Sequence, residues 1–168
     1  MDVSIILLTY NSGDTISECL DNIELSIKYS KLMCELIIVD GSSSDNTLTI
    51  LNRKSIHTKL ISAKINDRSI SFNKGVSLAK GKYICRVDSR SLLPKEYIVK
   101  CFNFLQLNIE YFNVGGMMVP INMNAQIECL YKNLISFGNS DFRFADSDKN
   151  VDTVYLGFFK KDLFFILN

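Results

Sequence analysis

Short apolar runs alternate along this chain with stretches of helical periodicity, and this alternation constrains the possible folds more than any other feature. The apolar runs occupy residues 3–8, 36–39, 60–63 and 83–87. Such near-continuous runs are typical of strands that are covered on both faces, as in a parallel sheet between helices. Parallel neighbours also need right-handed crossovers, which the intervening helical stretches can supply. We therefore predict an α/β fold with a mostly parallel, Rossmann-like sheet flanked by helices.

Local signals predict where individual elements begin and end. Thr15 and Glu18 have the spacing of a capping box before the first helix. Gly81 is expected to end the third helix, and Pro94 suits the first position of the fourth. The rest of the chain is interpreted as an extended segment over 111–120, a helix over 125–135, a polar loop over 138–150, a strand over 151–159 and a helix from 160 onward.

Size and charge limit the possible classes of protein. The 168 residues match the usual size of one domain and contain no internal repeat or linker, so we predict a single domain over 1–168. A net charge of +1 gives no field that would attract polyanions, and we expect no nucleic acid as a partner. No basic leader precedes the first strand and no apolar run reaches the roughly 18 residues of a membrane span. These absences predict a cytoplasmic location, with the inner face of the membrane as a second option.

Polar residues follow three of the predicted strands, at the point where each strand ends. These clusters are Thr9-Tyr10-Asn11, Asp40-Gly41-Ser42 and Asp88-Ser89-Arg90. In open parallel sheets, ligands bind outside the carboxyl ends of the strands, so Thr9, Tyr10, Asp40 and Asp88 should share one edge. A phenol ring can stack on a base, and a carboxylate can accept a hydrogen bond from a base or a ribose. Neither the dinucleotide fingerprint nor the phosphate loop is present in the sequence.

Taken in order, these segments resemble the family 2 glycosyltransferases, which have the GT-A fold. The resemblance is carried by residues 3–11, 37–47, 73–81, 86–97 and 151–161 and so covers essentially the whole chain. It is closest to the bacterial exopolysaccharide branch, in which an Arg-x-Asp segment precedes a Pro-x-x-Tyr or Pro-x-x-Phe helix start. The resemblance implies a nucleotide-diphosphate sugar as donor and a polysaccharide or lipid-linked carbohydrate as acceptor, with inversion at the sugar.

The resemblance also assigns residues. Thr9 and Tyr10 match the donor-loop positions that contact the nucleoside, with Asn11 beside them, and Asp40 matches the carboxylate that contacts the base. Arg68 lies where a basic residue often approaches the nucleotide. Asp88 matches the first carboxylate of the Asp-x-Asp element, which would be a ligand of a divalent cation, Mn²⁺ or Mg²⁺.

Two departures from the family pattern affect the expected chemistry. Arg90 stands at the third position of the Asp-x-Asp element, where the family usually has a second Asp or a His, and a guanidinium cannot coordinate a cation. Either Asp88 holds the cation weakly, or Arg90 supplies the positive charge that neutralises the diphosphate. In addition, the acidic pair that contains the family's catalytic base has no match before Asn168, which predicts a C-terminally truncated domain with no assigned catalytic residue.

Simpler interpretations stand beside these assignments. Asp40 and Asp88 could cap the helices that follow them, and Lys160-Lys161 could be a solvated helix start. The terminal apolar residues Phe158-Phe159 and 163–167 need a partner. They could be core that has lost its cover, or they could dock on a membrane surface or another protein. The alternative functions are therefore a non-catalytic interaction module, or a truncated product that needs a partner chain, and a flavodoxin-like binder of another phosphate ligand.

Overall fold

The computed structural model describes residues 1–54, 58–63, 67–116 and 157–166, which belong to one compact unit. The elements follow one another as strand and helix in turn, as the alternating apolar runs predict. They are β1 (Val3–Thr9), α1 (Ile16–Ser30), β2 (Cys34–Asp40), α2 (Thr47–Arg53), β3 (Thr58–Ser62), α3 (Arg68–Leu78), β4 (Tyr83–Asp88), α4 (Tyr97–Leu107), β5 (Asn113–Val114), β6 (Phe158–Lys160) and α5 (Leu163–Ile166).

Six strands form one mixed sheet in the order β3-β2-β1-β4-β6-β5. The first four strands are parallel, with β1 at the centre between β2 and β4. The last two are antiparallel additions, because β6 pairs in the opposite direction with both β4 and β5. The predicted α/β class and mostly parallel sheet are thus confirmed.

The main core lies between the sheet and the helices α1 and α4. Strand β1 contributes Val3, Ile5 and Leu7 to this core, and α1 contributes Ile16 and Ile23. All five side chains are fully buried. Each such aliphatic side chain contributes about 1.5–3 kcal/mol to the stability of the fold. The other face of β1 packs on α3, where an added Cβ at Gly75 would lie 2.5 Å from Ile6. Helices therefore cover both faces of the central strands, which explains their continuous apolar runs.

Two predicted helix starts differ from the structure. Thr15 is the N-cap of α1, but its side chain makes no capping hydrogen bond, and its hydroxyl donates 3.0 Å to the Ser89 carbonyl instead. A tertiary partner thus replaces the capping box that the spacing to Glu18 predicts. Helix α4 begins at Tyr97, three residues after Pro94, whose carbonyl accepts from the Tyr97 N–H. Pro94 belongs to the turn before the helix.

Three aromatic rings of the described C-terminal region pack against the rest of the fold. Phe158 is fully buried and stacks on Tyr83, whereas Phe159 and Phe164 pack with Phe72 of α3. The expectation of an unpartnered apolar stretch is wrong for these three rings, because β6 joins the sheet. Phe165 remains 67% exposed. The expectation of a solvated Lys160-Lys161 pair is also wrong, since Lys160 lies in β6 and the Lys161 ammonium donates to the Ala79 carbonyl.

Gly116 lies close to helix α4. A Cβ on Gly116 would lie 2.9 Å from the Tyr97 ring, so the missing side chain leaves room for that ring. The helix predicted over 125–135 and the loop over 138–150 lie outside the described residues. Among the helices that the structure does describe, none is both long and apolar enough to cross a membrane.

Candidate functional site

The register of the sheet brings three predicted strand ends to one edge. Thr9, the last residue of β1, lies beside Asp40, the last residue of β2. On the other side of β1, Leu8 lies beside Asp88, the last residue of β4. Backbone hydrogen bonds continue past the strands, from the Gly41 N–H to the Thr9 carbonyl and from the Ser89 N–H to the Leu8 carbonyl. We call this region, formed by residues 9–15, 40–47 and 88–91, the carboxyl edge.

Asp40 is a buried carboxylate that organises its own loop. It is 1% exposed, and its two oxygens accept from the Ser43 N–H at 2.9 Å and from the Ser43 hydroxyl at 2.5 Å. The simpler interpretation, that Asp40 caps α2, is therefore wrong. Helix α2 has Asn46 at its N-cap without a side-chain hydrogen bond.

Asp45 fixes the start of α2 through hydrogen bonds to Thr47. One oxygen accepts from the Thr47 N–H and hydroxyl, and the other accepts from the Gly13 N–H at 2.9 Å. The Thr47 hydroxyl and then the Gly13 amide are the main reasons why the pKa of Asp45 lies below its usual value. The carboxylate thus links the loop after β1 to the loop after β2.

Buried hydroxyls join the three loops of the carboxyl edge. The Ser12 N–H donates 2.8 Å to the Thr47 hydroxyl, while the Ser12 and Ser89 hydroxyls are 2.6 Å apart. Since Thr15 also donates to the Ser89 carbonyl, the loops after β1, β2 and β4 form one network. For Ser12 and Ser89, the sequence signal was their position in the loops that follow predicted strands, and their residue type alone suggested turns.

Asn11 also serves this network. Its backbone is in the left-handed region, with φ of 44°, which asparagine tolerates better than most residues. Its N–H donates to the Ser43 hydroxyl at 2.9 Å, and its side-chain oxygen accepts from the Ser44 N–H at 2.8 Å. The amide of Asn11 thus holds the first two loops together.

Thr9 and Tyr10 remain available at the edge. The Thr9 side chain is 4% exposed, and its hydroxyl is buried without a hydrogen-bond partner. An unpaired buried hydroxyl costs stability, and a ligand that bonds to it is one explanation for such a group in a native protein. The next side chain, Tyr10, is 40% exposed. Thr9 thus lies beside Asp40 in the sheet, and the exposed Tyr10 follows it in the loop after β1.

Charged residues dominate the end of β4. The Arg86 guanidinium lies 3.4 Å from the Asp88 carboxylate, and both side chains are about one-fifth exposed, at 23% and 20%. Arg86 is also held 5.5 Å from the centre of the Phe72 ring, a cation–π distance, which places this pair on the α3 face of the sheet. Helix α4 has Glu96 at its N-cap, so Asp88 does not cap it. Arg90 follows in an exposed turn, closed by the Ser91 N–H and the Asp88 carbonyl.

Arg68 has a less direct relation to this edge. It is the first residue of α3 and is exposed, with Asp67 before it capping the helix by accepting from the N–H groups of Ser69 and Ile70. Helix α3 follows β3, whose last residue, Ser62, lies beside Asp40. Helix α3 therefore begins after the strand end that adjoins the carboxyl edge. Among the described residues, Arg68 makes no hydrogen bond or ion pair with the other predicted site residues.

The described residues do not by themselves form a divalent cation site. Hard cations take about six oxygen ligands. No group of three His, Cys, Asp or Glu side chains suited to a metal occurs within the described ranges. Asp88 supplies one carboxylate, and that carboxylate is already paired with Arg86.

Comparison with known proteins identifies the family. The sequence model of "Glycosyl transferase family 2" matches residues 4–164. The chain belongs to this family. Its fold is the GT-A fold of a solved relative, "Crystal structure of S. aureus TarS 1-349 in complex with UDP", with a TM-score of 0.76 at 20% identity over 99% of this chain and 49% of that chain.

Two further relatives of this family 2 domain differ in what they act on or bind. "Poly(ribitol-phosphate) beta-glucosyltransferase" of Bacillus spizizenii is 34% identical over 122 residues, which is 70% of this chain and 19% of the relative. The mannosyltransferase PcManGT from Pyrobaculum calidifontis, solved in complex with GDP-Man and Mn²⁺, aligns with a TM-score of 0.64 at 22% identity, over 71% of this chain and 36% of that one. The chain thus spans less than half the length of each of these two relatives.

Proposed function

We propose that this family 2 domain binds the nucleoside diphosphate of a nucleotide-sugar donor across the carboxyl edge. In the complete reaction, the sugar would pass with inversion to a hydroxyl of a polysaccharide or lipid-linked carbohydrate acceptor. The observation that carries the proposal is the register that sets Thr9 beside Asp40 and Leu8 beside Asp88. Because β2 and β4 both adjoin β1, their ends are two strand spacings apart, about 10 Å. A nucleoside diphosphate can extend across this distance.

The side chains along the carboxyl edge suit a nucleoside at one end and a diphosphate at the other. Near β2, the exposed Tyr10 ring offers a stacking surface, and the unpartnered Thr9 hydroxyl can bond to a base or ribose. Asp40 lies beside them with both oxygens directed to Ser43, which fixes the position of its carboxylate. Near β4, Arg86 and Arg90 provide positive charge for a diphosphate. We assign no catalytic base to the described residues.

Isothermal titration with UDP, GDP, CDP and dTDP tests the proposal directly, with UDP as the first probe because the TarS structure holds it. Each titration is run in EDTA and again in MnCl₂. Binding of at least one nucleotide is expected. If none of the four binds to protein shown to be folded by circular dichroism, the donor proposal is wrong and the interaction-module alternative is favoured.

Substitutions of Asp40 and Asp88 test the proposed orientation of the nucleotide, with its base near β2 and its diphosphate near β4. Asp40→Asn keeps the shape but removes the charge beside the base, and we expect it to weaken binding about tenfold in EDTA. Asp88→Asn should change the affinity by less than about threefold under the same conditions, because Asp88 is paired with Arg86. Glu110→Gln, an exposed residue after α4, is the matched control. Equal losses from the two aspartate variants would contradict this orientation.

A further inference from the structure

The end of β4 carries more positive than negative charge. Arg86 and Asp88 form an ion pair, and Arg90 adds one unpaired positive charge. Within the described ranges, no side chain forms an ion pair or hydrogen bond with Arg90. The three side chains together therefore carry a net charge of about +1, where the family pattern expects two metal ligands. Since guanidinium groups stay protonated at all working pH values, this charge is permanent.

Arg86 cannot easily move away from Asp88. Its backbone N–H is bonded to the Gly157 carbonyl, 2.9 Å away, and its guanidinium is held over the Phe72 ring. Phe72 is itself packed against Phe159 and Phe164. A cation bound to Asp88 would thus lie beside a fixed guanidinium, and the repulsion between them would weaken cation binding. An anion at the same place would be attracted.

Among the described residues, the groups that neighbour Asp88 supply no replacement ligands. The Ser89 hydroxyl is 2.6 Å from the Ser12 hydroxyl, in the buried network that joins the loops. The Asp40 carboxylate is bonded to Ser43 at the end of β2, two strands away. The end of β4 offers a ligand the exposed guanidinium of Arg90 on a short turn, two residues after the Arg86–Asp88 pair.

Resting on the proposed function, we propose that Arg90, supported by Arg86, replaces the divalent cation as the group that neutralises the donor's diphosphate. Asp88 then positions Arg86 and is not a metal ligand. Guanidinium groups bind phosphate oxygens through charge-assisted, often bidentate hydrogen bonds, and these bonds can neutralise the diphosphate charge without a metal. The nucleoside diphosphate should therefore bind about equally well with and without a divalent cation.

Calorimetric titration tests this inference, with the nucleotide among UDP, GDP, CDP and dTDP that binds most tightly. For the unchanged protein, we expect dissociation constants in EDTA and in MnCl₂ to agree within about threefold. Arg90→Ala should weaken binding of the diphosphate about tenfold or more, and leave binding of the corresponding nucleoside unchanged. Arg90→Lys should recover part of the loss, because it keeps the charge without the fork of donors.

The sharpest variant is Arg90→His, which restores the residue type that the family often has. It should lose affinity in EDTA and stay weak in MnCl₂, because the Arg86 guanidinium still lies beside Asp88 and repels a cation there. Full recovery in MnCl₂ would contradict the exclusion of the cation by Arg86. Arg53→Ala, at the exposed end of α2, is the control and should behave as the unchanged protein. Binding that requires Mn²⁺ in the unchanged protein would overturn the inference and leave the donor proposal standing. Absence of binding under both conditions would overturn both.

Discussion

At the scale of single residues, the Thr9 hydroxyl differs from the other hydroxyls of the carboxyl edge, because we propose that it binds a ligand whereas they stabilise the fold. The Thr9 hydroxyl is buried and unpartnered, whereas the hydroxyls of Ser12 and Thr15 each have a partner at the same edge. A group that is left unsatisfied lowers stability in the free protein. It can be satisfied when a ligand arrives, so its cost is recovered on binding.

Replacing Thr9 by valine should separate these two effects. Thr9→Val removes the unsatisfied hydroxyl and keeps the shape, so the free energy of unfolding should stay within about 1 kcal/mol of the original or rise. Nucleotide affinity should fall about fivefold to tenfold, the equivalent of one lost hydrogen bond. Urea denaturation and calorimetry measure the two quantities.

Thr15→Val is the matched control for this comparison. It removes a hydroxyl that donates to the Ser89 carbonyl, so it should lower stability by about 1 kcal/mol or more. If Thr9→Val destabilised the protein as much as Thr15→Val, the Thr9 hydroxyl would have a structural partner, and its proposed role would fail.

At the scale of elements, a polar network fastens the opposite edge of the sheet. Glu35 of β2 accepts from the Ser4 hydroxyl of β1 and from the Lys80 N–H, both at 2.6 Å. Ser4 in turn accepts from the Gly81 N–H at 2.7 Å. Gly81 is needed there, because a Cβ would lie 2.4 Å from the Ser4 nitrogen. The network ties the start of β4 to β1 and β2 and so helps to set the register that aligns the carboxyl edge.

Glu35 should make stability depend on pH. Burial acts to raise its pKa, but the Ser4 and Lys80 hydrogen bonds and the nearby Lys59 together hold it below the usual value. A lowered pKa in the folded state means that this stabilisation is present above the unfolded pKa, about 4.3, and is lost as the pH falls through the folded value. Glu35→Gln should therefore lower the unfolding free energy by about 1–2 kcal/mol at pH 7.

The pH series supplies the decisive comparison for Glu35. The difference in unfolding free energy between the original protein and Glu35→Gln should shrink as the pH is lowered from 7 toward 3, as measured by urea denaturation. Glu24→Gln, in an exposed pair with Lys28 on α1, should show little difference at any pH. A Glu35 difference that stays constant with pH would show that the carboxylate charge does not stabilise the network.

At the scale of the whole molecule, one core is shared by distant parts of the chain. Cys19 of α1, Cys85 of β4 and Cys101 of α4 are all buried in it and free of disulfides. Burial raises the pKa of Cys19 to about 12 and that of Cys101 to about 11, and it raises the pKa of Cys85 well above its usual value. Their reactive thiolate forms are therefore almost absent near neutral pH.

Thiol labelling can report whether this core opens as a unit. At pH 8, a thiol with a pKa of about 11 is about one-thousandth ionised, so iodoacetamide should leave these three cysteines unmodified in the folded protein and modify them in urea. Mass spectrometry of the digested protein assigns each site. Fast labelling of one of the three in the folded state would show that its element opens separately from the rest of the core.

The sequence by itself determined the alternation of strands and helices, the parallel class of the sheet and the edge where its polar residues collect. Those features depend on local periodicity and on turns, which neighbouring residues decide. Only the tertiary structure decided that Thr15 bonds to Ser89, that Arg86 pairs with Asp88 beside Phe72, and that Thr9 has no partner. Strand order brings together side chains that are far apart in sequence, such as Ser12 and Ser89 at a separation of 77 positions, and no local pattern specifies which buried polar groups will meet.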